Sequence, residues 1–134
     1  MISNQILQNT IEGIKAITKI ELYVMDTDGN ILAETSADGR RYNDSIQTFV
    51  DSPADSQVLQ GYQFFKVYDE SQLEYIVVSK GDSEEVYMIG KIVSFQIQNL
   101  LVAYKERYDK DNFIKNLLLD NLLLVDIFNR AKKL

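Results

Sequence analysis

Apolar positions follow two rhythms along this chain. Ile6, Leu7, Ile11, Ile14 and Ile17 recur at spacings that place them on one stripe of a helix over residues 3–18. Ser3 stands where an N-cap belongs. Gly13 weakens that helix a little and marks a close approach. From residue 20 the period shortens to two: Ile20, Leu22 and Val24 alternate with Glu21, Tyr23 and Met25, as in a half-buried strand. DTDGN (26–30) supplies turn chemistry and residues 31–34 return as a second strand, so this stretch predicts a hairpin.

Residues 36–43 are polar and contain a glycine, which predicts a loop. DSIQTFVD (44–51) sets Ile46, Phe49 and Val50 at helical spacing, and Ser52–Pro53 stops the short helix. ADSQVLQGYQFFKVYD (54–69) reads as a strand with Gly61 as a bulge or bend. ESQ makes a short turn, and Leu73–Lys80 is the strongest β segment of the chain. Its centre, residues 75–78, is apolar on both faces, which predicts a central strand covered on two sides.

GDSEEV opens the last helix, with Asp82 as N-cap and Glu85 as its capping-box partner. Val86, Ile89, Val93, Ile97, Leu100 and Tyr104 keep a three-to-four rhythm suited to a helix on a sheet or against a twin. ERYDKDN (106–112) is its one purely polar stretch and marks either a solvated connector or a break near 109–112. Beyond it, Phe113, Leu117, Leu124 and Phe128 cluster on a helical wheel with Asn121 inside their arc. An Asn there either fixes the register of a coiled coil or faces water. Leu119, Leu123 and Ile127 make a second strip, and two strips imply two partners.

This order predicts an α+β fold: an antiparallel sheet of about five strands, an N-terminal helix, a short helix on one face and a long C-terminal helix. A PAS- or GAF-like sensor arrangement has that form. Residues 1–82 with the first part of the long helix make the sensor domain, and 83–134 the dimerisation and signalling helix. Candidate homodimer contacts are Ile97, Leu100, Tyr104, Leu117, Asn121, Leu124 and Phe128.

Composition narrows the chemistry. The 134 residues suit one domain with an appended element. A net charge of −6 does not suit a nucleic-acid surface. With neither cysteine nor histidine, the chain lacks a disulfide frame, a thiolate nucleophile and the commonest general base and transition-metal ligand. The N-terminus has no basic region before an apolar core, hence no signal peptide, and a cytoplasmic setting is expected. The leucine clusters 117–119 and 122–125 are broken by Asp120 and Asn121, which argues against a membrane span there.

Asp26 and Asp28 resemble part of an EF-hand loop, but the glycine falls at loop position 4, not 6, and the twelfth position is Ala37, so the turn reading is preferred. Glu84 and Glu85 have a structural reason to stand at a helix N-terminus. No catalytic residue, metal or cofactor is assigned. DGRRYND (38–44) places Arg40 and Arg41 side by side; two guanidinium forks suit a carboxylate or phosphate, and two solvated surface arginines are the plainer alternative.

Three stretches carry a resemblance: DNFIKNLLLDNLLLVDIFNRAKKL, DSPADSQVLQGYQFFKVYDE and GKIVSFQIQNLLVAYKERYD. They resemble the N-terminal sensory region of bacterial transcriptional regulators of the sugar-diacid regulator family. The resemblance covers nearly the whole chain and is most specific over 93–134. It implies a PAS-like input domain that runs on into a middle domain and a PucR-type helix-turn-helix, so that DNA is bound only through a body beyond this chain. It also implies a homodimer whose long helices carry a ligand-induced change. The chain departs from the diacid-sensing pattern after the first hairpin, where SADGRRYNDSIQTF carries arginines but no histidine. That departure counts against a diacid ligand. The expected function is sensing of a small molecule, with or without a carboxylate, and the expected ligand contacts are Arg40, Arg41, Tyr62, Lys66 and Tyr75. The competing expectation is a ligandless assembly module whose pocket is filled by Phe49, Phe64 and Phe65.

Overall fold

The computed structural model describes residues 2–37 and 43–132, with side chains throughout except at 43–45, 108, 109, 111–113 and 116–132. The elements are α1 (Asn4–Thr18), β1 (Leu22–Met25), β2 (Ile31–Glu34), α2 (Asn43–Asp51), β3 (Ser56–Leu59), β4 (Tyr62–Asp69), β5 (Gln72–Lys80) and α3 (Glu84–Lys132). The fold is α+β, as expected, with a five-stranded antiparallel sheet in the order β2-β1-β5-β4-β3. Two compact units divide the chain, Met1–Leu101 and Val102–Leu134, and the sheet with its covering helices belongs to the first.

α1 begins where the sequence predicts. The Ser3 hydroxyl accepts from the Ile6 amide, and Lys19 ends the helix in a left-handed conformation (φ 64°) that returns its own amide to the Lys15 carbonyl. Leu7 and Ile11 are buried, Ile6 and Ile14 half-buried. Ile17 is not part of that buried stripe: it is 84% exposed. The Gln8 side chain bonds the Glu34 backbone through both its carbonyl and its amide, which occupies hydrogen-bonding groups on the free edge of β2.

Strand β1 departs from the half-buried expectation. All four of its residues are buried, because it lies between β2 and β5 with layers on both faces. In the turn that follows, the Asp26 carboxylate accepts from the amides of Asp28 and Asn30 and from the Asn30 side chain, so it is committed to the turn. Residues 56–69 form two strands rather than one with a bulge. Gln60 (φ 52°) and Gly61 (φ 80°) make a two-residue hairpin turn, and Leu59 pairs with Tyr62 across it. Two successive positive φ angles match the right-handed twist of paired strands.

Register then decides the faces. Tyr23, Met25, Tyr62, Phe64, Ile76 and Val78 form one core cluster with Ile46 and Phe49 of α2. The alternate residues, Leu22, Val24, Phe65, Val67, Tyr75 and Val77, look the other way and are buried under α1 and α3. Contacts fix α3 to that second face. The ring of Phe65 sits where a β-carbon on Gly90 would lie, and the Ser79 hydroxyl donates to the Val86 carbonyl.

The start of α3 also differs from expectation. Ser83, not Asp82, is the cap: its hydroxyl accepts from the Val86 amide and its carbonyl from Tyr87. Position 86 is apolar, so no capping box forms. The helix is continuous through 106–112 to Lys132, which resolves the alternative of connector or break in favour of the connector.

Candidate functional site

The sheet face beneath α2 is where the ligand-contact candidates can be judged. Tyr62 and Lys66 are on it, four residues apart on β4 and hence on the same side. Tyr75 is not. It pairs with Val67 and faces the opposite layer, where its hydroxyl accepts a hydrogen bond from the Ile2 amide at 3.3 Å. Burial pushes the Tyr75 phenol above its ordinary value, the Ile2 bond opposing the rise. That tyrosine therefore anchors the start of the chain and does not share a site with Lys66. Arg40 and Arg41 lie outside the described residues.

What α2 covers is mainly aromatic. Phe49 and Phe64 meet at 6.1 Å between ring centroids, tilted at 51°, and both are buried. Tyr23 and Tyr62 meet at 6.4 Å, and the Tyr23 hydroxyl shares a 2.8 Å hydrogen bond with Ser36. Phe65, grouped by the sequence with these rings, points to the other layer, where its ring lies 5.6 Å from that of Tyr87.

Lys66 is the one cation that this face offers among the described residues. Its stem crosses the sheet so that the ammonium stands 4.9 Å above the Phe49 ring and donates to the Ser52 carbonyl just past the end of α2. Ser52 also closes that helix, its hydroxyl donating to the Phe49 carbonyl. One side chain thus ties the sheet to the end of its short cover. α2 is held at the other side by the Gln47 amide, which donates to the Thr27 carbonyl in the first hairpin. Chemically, this face could take a ligand with an apolar body and one anionic group, provided that the ligand displaced α2.

The long helix presents a second feature. Within the first unit, Val86, Gly90, Val93, Ile97 and Leu101 are buried. Ile97, a candidate for the dimer seam, is wholly buried within the chain and has no surface left to offer a partner. Leu100 is half-buried, as is Tyr104 of the second unit, while the side chains of Leu117, Asn121, Leu124 and Phe128 lie outside the described residues. Met88, Ile92 and Phe95 are instead exposed, with Asn99 one step further along the same line. At 100° per residue this line is about 180° from the buried one. Val86, Val93 and Ile97 of the three-to-four rhythm are the stripe that faces the sheet. The outward 4-3-4 spacing beside it was the signal for the other.

The stretch Glu84–Arg107 is long and apolar enough to cross a membrane by length and composition. The leucine clusters 117–119 and 122–125 lie beyond this stretch. A third of that apolar window is buried, where Val86, Gly90, Val93, Ile97 and Leu101 face inward; Met88, Ile92 and Phe95 stay exposed. Among the described residues no group of three or more acidic side chains is placed to hold a metal ion.

Comparison with known proteins adds no relative: no protein-family model and no curated protein sequence matches this chain.

Proposed function

We propose that this chain is the non-catalytic input module of a bacterial transcriptional regulator similar to the sugar-diacid regulators. It answers a small carboxylated molecule at the α2 face and passes the change to a helix-turn-helix body that the resemblance places after α3. The observation that carries the reading is Lys66. A cation held over an aromatic ring by a single backbone carbonyl can exchange that carbonyl for a carboxylate, a stronger, charge-assisted acceptor. The exchange frees the C-terminal end of α2. Output through α3 is supported by its root in the same sheet and by its unbroken run to Lys132.

A thermal-shift screen against small dicarboxylates and sugar acids, with native mass spectrometry of the hits, tests this reading. A stabilisation by one of them that disappears in Lys66→Met supports it. A stabilisation unchanged in Lys66→Met places the anion elsewhere. The second reading, a ligandless assembly module, is favoured by the buried Phe49–Phe64 pair, which fills the layer with the protein's own rings. Absence of any shift in the whole screen supports that alternative.

A further inference from the structure

One line of polar side chains runs along α3 beside its buried line. Between Glu85 and Lys105 the helix carries a single charged residue, Lys91. Ser94 and Gln98 follow it at spacings of three and four, one step round the helix from Gly90, Val93 and Ile97. This line borders a cleft of about 200 Å³ between the helix and the sheet. Phe65, Lys66 and Tyr68 of β4 and Asp55, just before β3, complete it. All of these residues belong to the first compact unit.

Residues of opposite charge line this cleft without pairing. Asp55 and Lys91 both border it, yet they form no ion pair with each other. The Asp55 backbone carbonyl accepts from the Lys66 amide, but its carboxylate has no hydrogen-bond partner among the described residues. The Lys91 ammonium stands 5.9 Å over the Tyr87 ring and is held by no carboxylate among them. Lys66 adds no second free cation, because its ammonium is committed to the Ser52 carbonyl and the Phe49 ring. The Ser94 hydroxyl donates to the Gly90 carbonyl, which leaves its oxygen as an acceptor. Gln98 offers both a donor and an acceptor, and Phe65 with Tyr68 supplies an aromatic side. An acid and a base held apart across one cleft are complementary to a molecule that carries both signs.

We infer that this cleft binds a free α-amino acid, with its carboxylate on Lys91 and its ammonium on Asp55. A zwitterion answers both charges at once, each through a charge-assisted hydrogen bond. Ser94 gives the ammonium a further acceptor, and Gln98 and the aromatic side meet the rest of the molecule. Size agrees. Drug-sized ligands fill pockets of about 300–1,000 Å³, whereas about 200 Å³ suits a solute of few heavy atoms. The site goes beyond the carboxylate reading of the α2 face. There an anion has to take Lys66 from Ser52, while here no contact of α2 is broken. A bound amino acid would join α3 to the strand beneath it, by way of Lys91 on one side and Asp55 on the other.

Isothermal titration calorimetry of the full chain is the test, with the common L-amino acids added one at a time up to millimolar concentration. Each hit is compared with the matching amine that lacks the carboxylate and the matching acid that lacks the amine. The expected result is a hit whose amine and acid counterparts bind at least 10-fold more weakly. Asp55→Asn and Lys91→Met are each expected to weaken the hit at least 10-fold. Both positions are exposed, and far-UV circular dichroism checks that each variant is folded. Absence of binding by every amino acid overturns the inference. A hit unchanged in either variant places the ligand elsewhere and overturns it too. So does an amine or acid that binds as tightly as its amino acid, since a single charge is then being read. The carboxylate screen turns on Lys66→Met, and these variants leave the Lys66 contacts with α2 in place, so either reading can fail while the other stands.

Discussion

A β-carbon on Gly90 would fall 2.1 Å from a ring carbon of Phe65, closer than two non-bonded carbons can stand. The helix therefore reaches the sheet at this point only because residue 90 has no side chain. Phe65 is buried and its ring is flanked by Tyr87, so it has little room to withdraw. Gly90→Ala gains helix propensity of up to about 1 kcal/mol and loses more to overpacking, which costs about 1–3 kcal/mol in a close-packed core. Net destabilisation is expected in urea melts. Phe65→Leu in the Gly90→Ala background should recover part of the loss although each change alone destabilises. Additive effects would show that the two residues do not meet.

Ser83 and Asp82 give opposite expectations at the start of α3. The Ser83 hydroxyl satisfies the Val86 amide, one of the four donors that a helix leaves unpaired at its start. Ser83→Ala is expected to lower stability by about 1 kcal/mol, and Asp82→Ala to stay within about 0.5 kcal/mol of wild type. Chemical denaturation of both variants decides which residue is the cap. Equal losses would contradict the geometry. Gln63 reinforces the same junction, its buried amide donating to the carbonyls of Gly81 and Ser83 at 3.0 Å each.

Much of this architecture was legible in the chain because local signals and tertiary packing agreed. Ser3 and the continuous apolar run Tyr75–Val78 each have one physical reading, and the elements follow from them. The misreadings occur where two readings share one pattern. Gln60–Gly61 serves a bulge as well as a tight turn, and only the pairing of Leu59 with Tyr62 separates them. Asp82 and Ser83 are both good caps one residue apart. Leu22–Met25 alternates like a half-covered strand, yet both of its faces are buried because it falls inside the sheet. For the candidate site, Tyr62 and Lys66 share a face because they are two strand periods apart. Tyr75 has the same residue type as Tyr62, but the β4–β5 register pairs it with Val67 and sends it to the other layer. The outward stripe of α3 was hidden by its own neighbour: on a helix with two apolar lines, period alone does not say which one meets the sheet.

Glu21 supplies a pH dependence whose sign follows from its partners. The Thr35 hydroxyl donates to its carboxylate, and this bond is the main reason the group is held below the ordinary glutamate value. Burial works against the shift, and Lys15, 3.3 Å away and partly exposed, adds a smaller lowering. A carboxyl with a depressed folded value stabilises the fold above its unfolded pKa, and that contribution is lost as pH falls through the folded value. Stability should therefore decline from about pH 5 downward. In Thr35→Val the Leu22 amide also loses an acceptor, so the whole curve drops at every pH. The diagnostic quantity is the slope: between about pH 5 and 3 the variant should lose less stability than wild type, because Glu21 titrates nearer its unfolded value. Urea melts across that range measure it. Repeating them in 0.5 M salt separates the causes, since salt screens the half-exposed Lys15 pair but leaves the Thr35 hydrogen bond nearly untouched. A difference in slope that vanishes in salt would assign the effect to Lys15 instead.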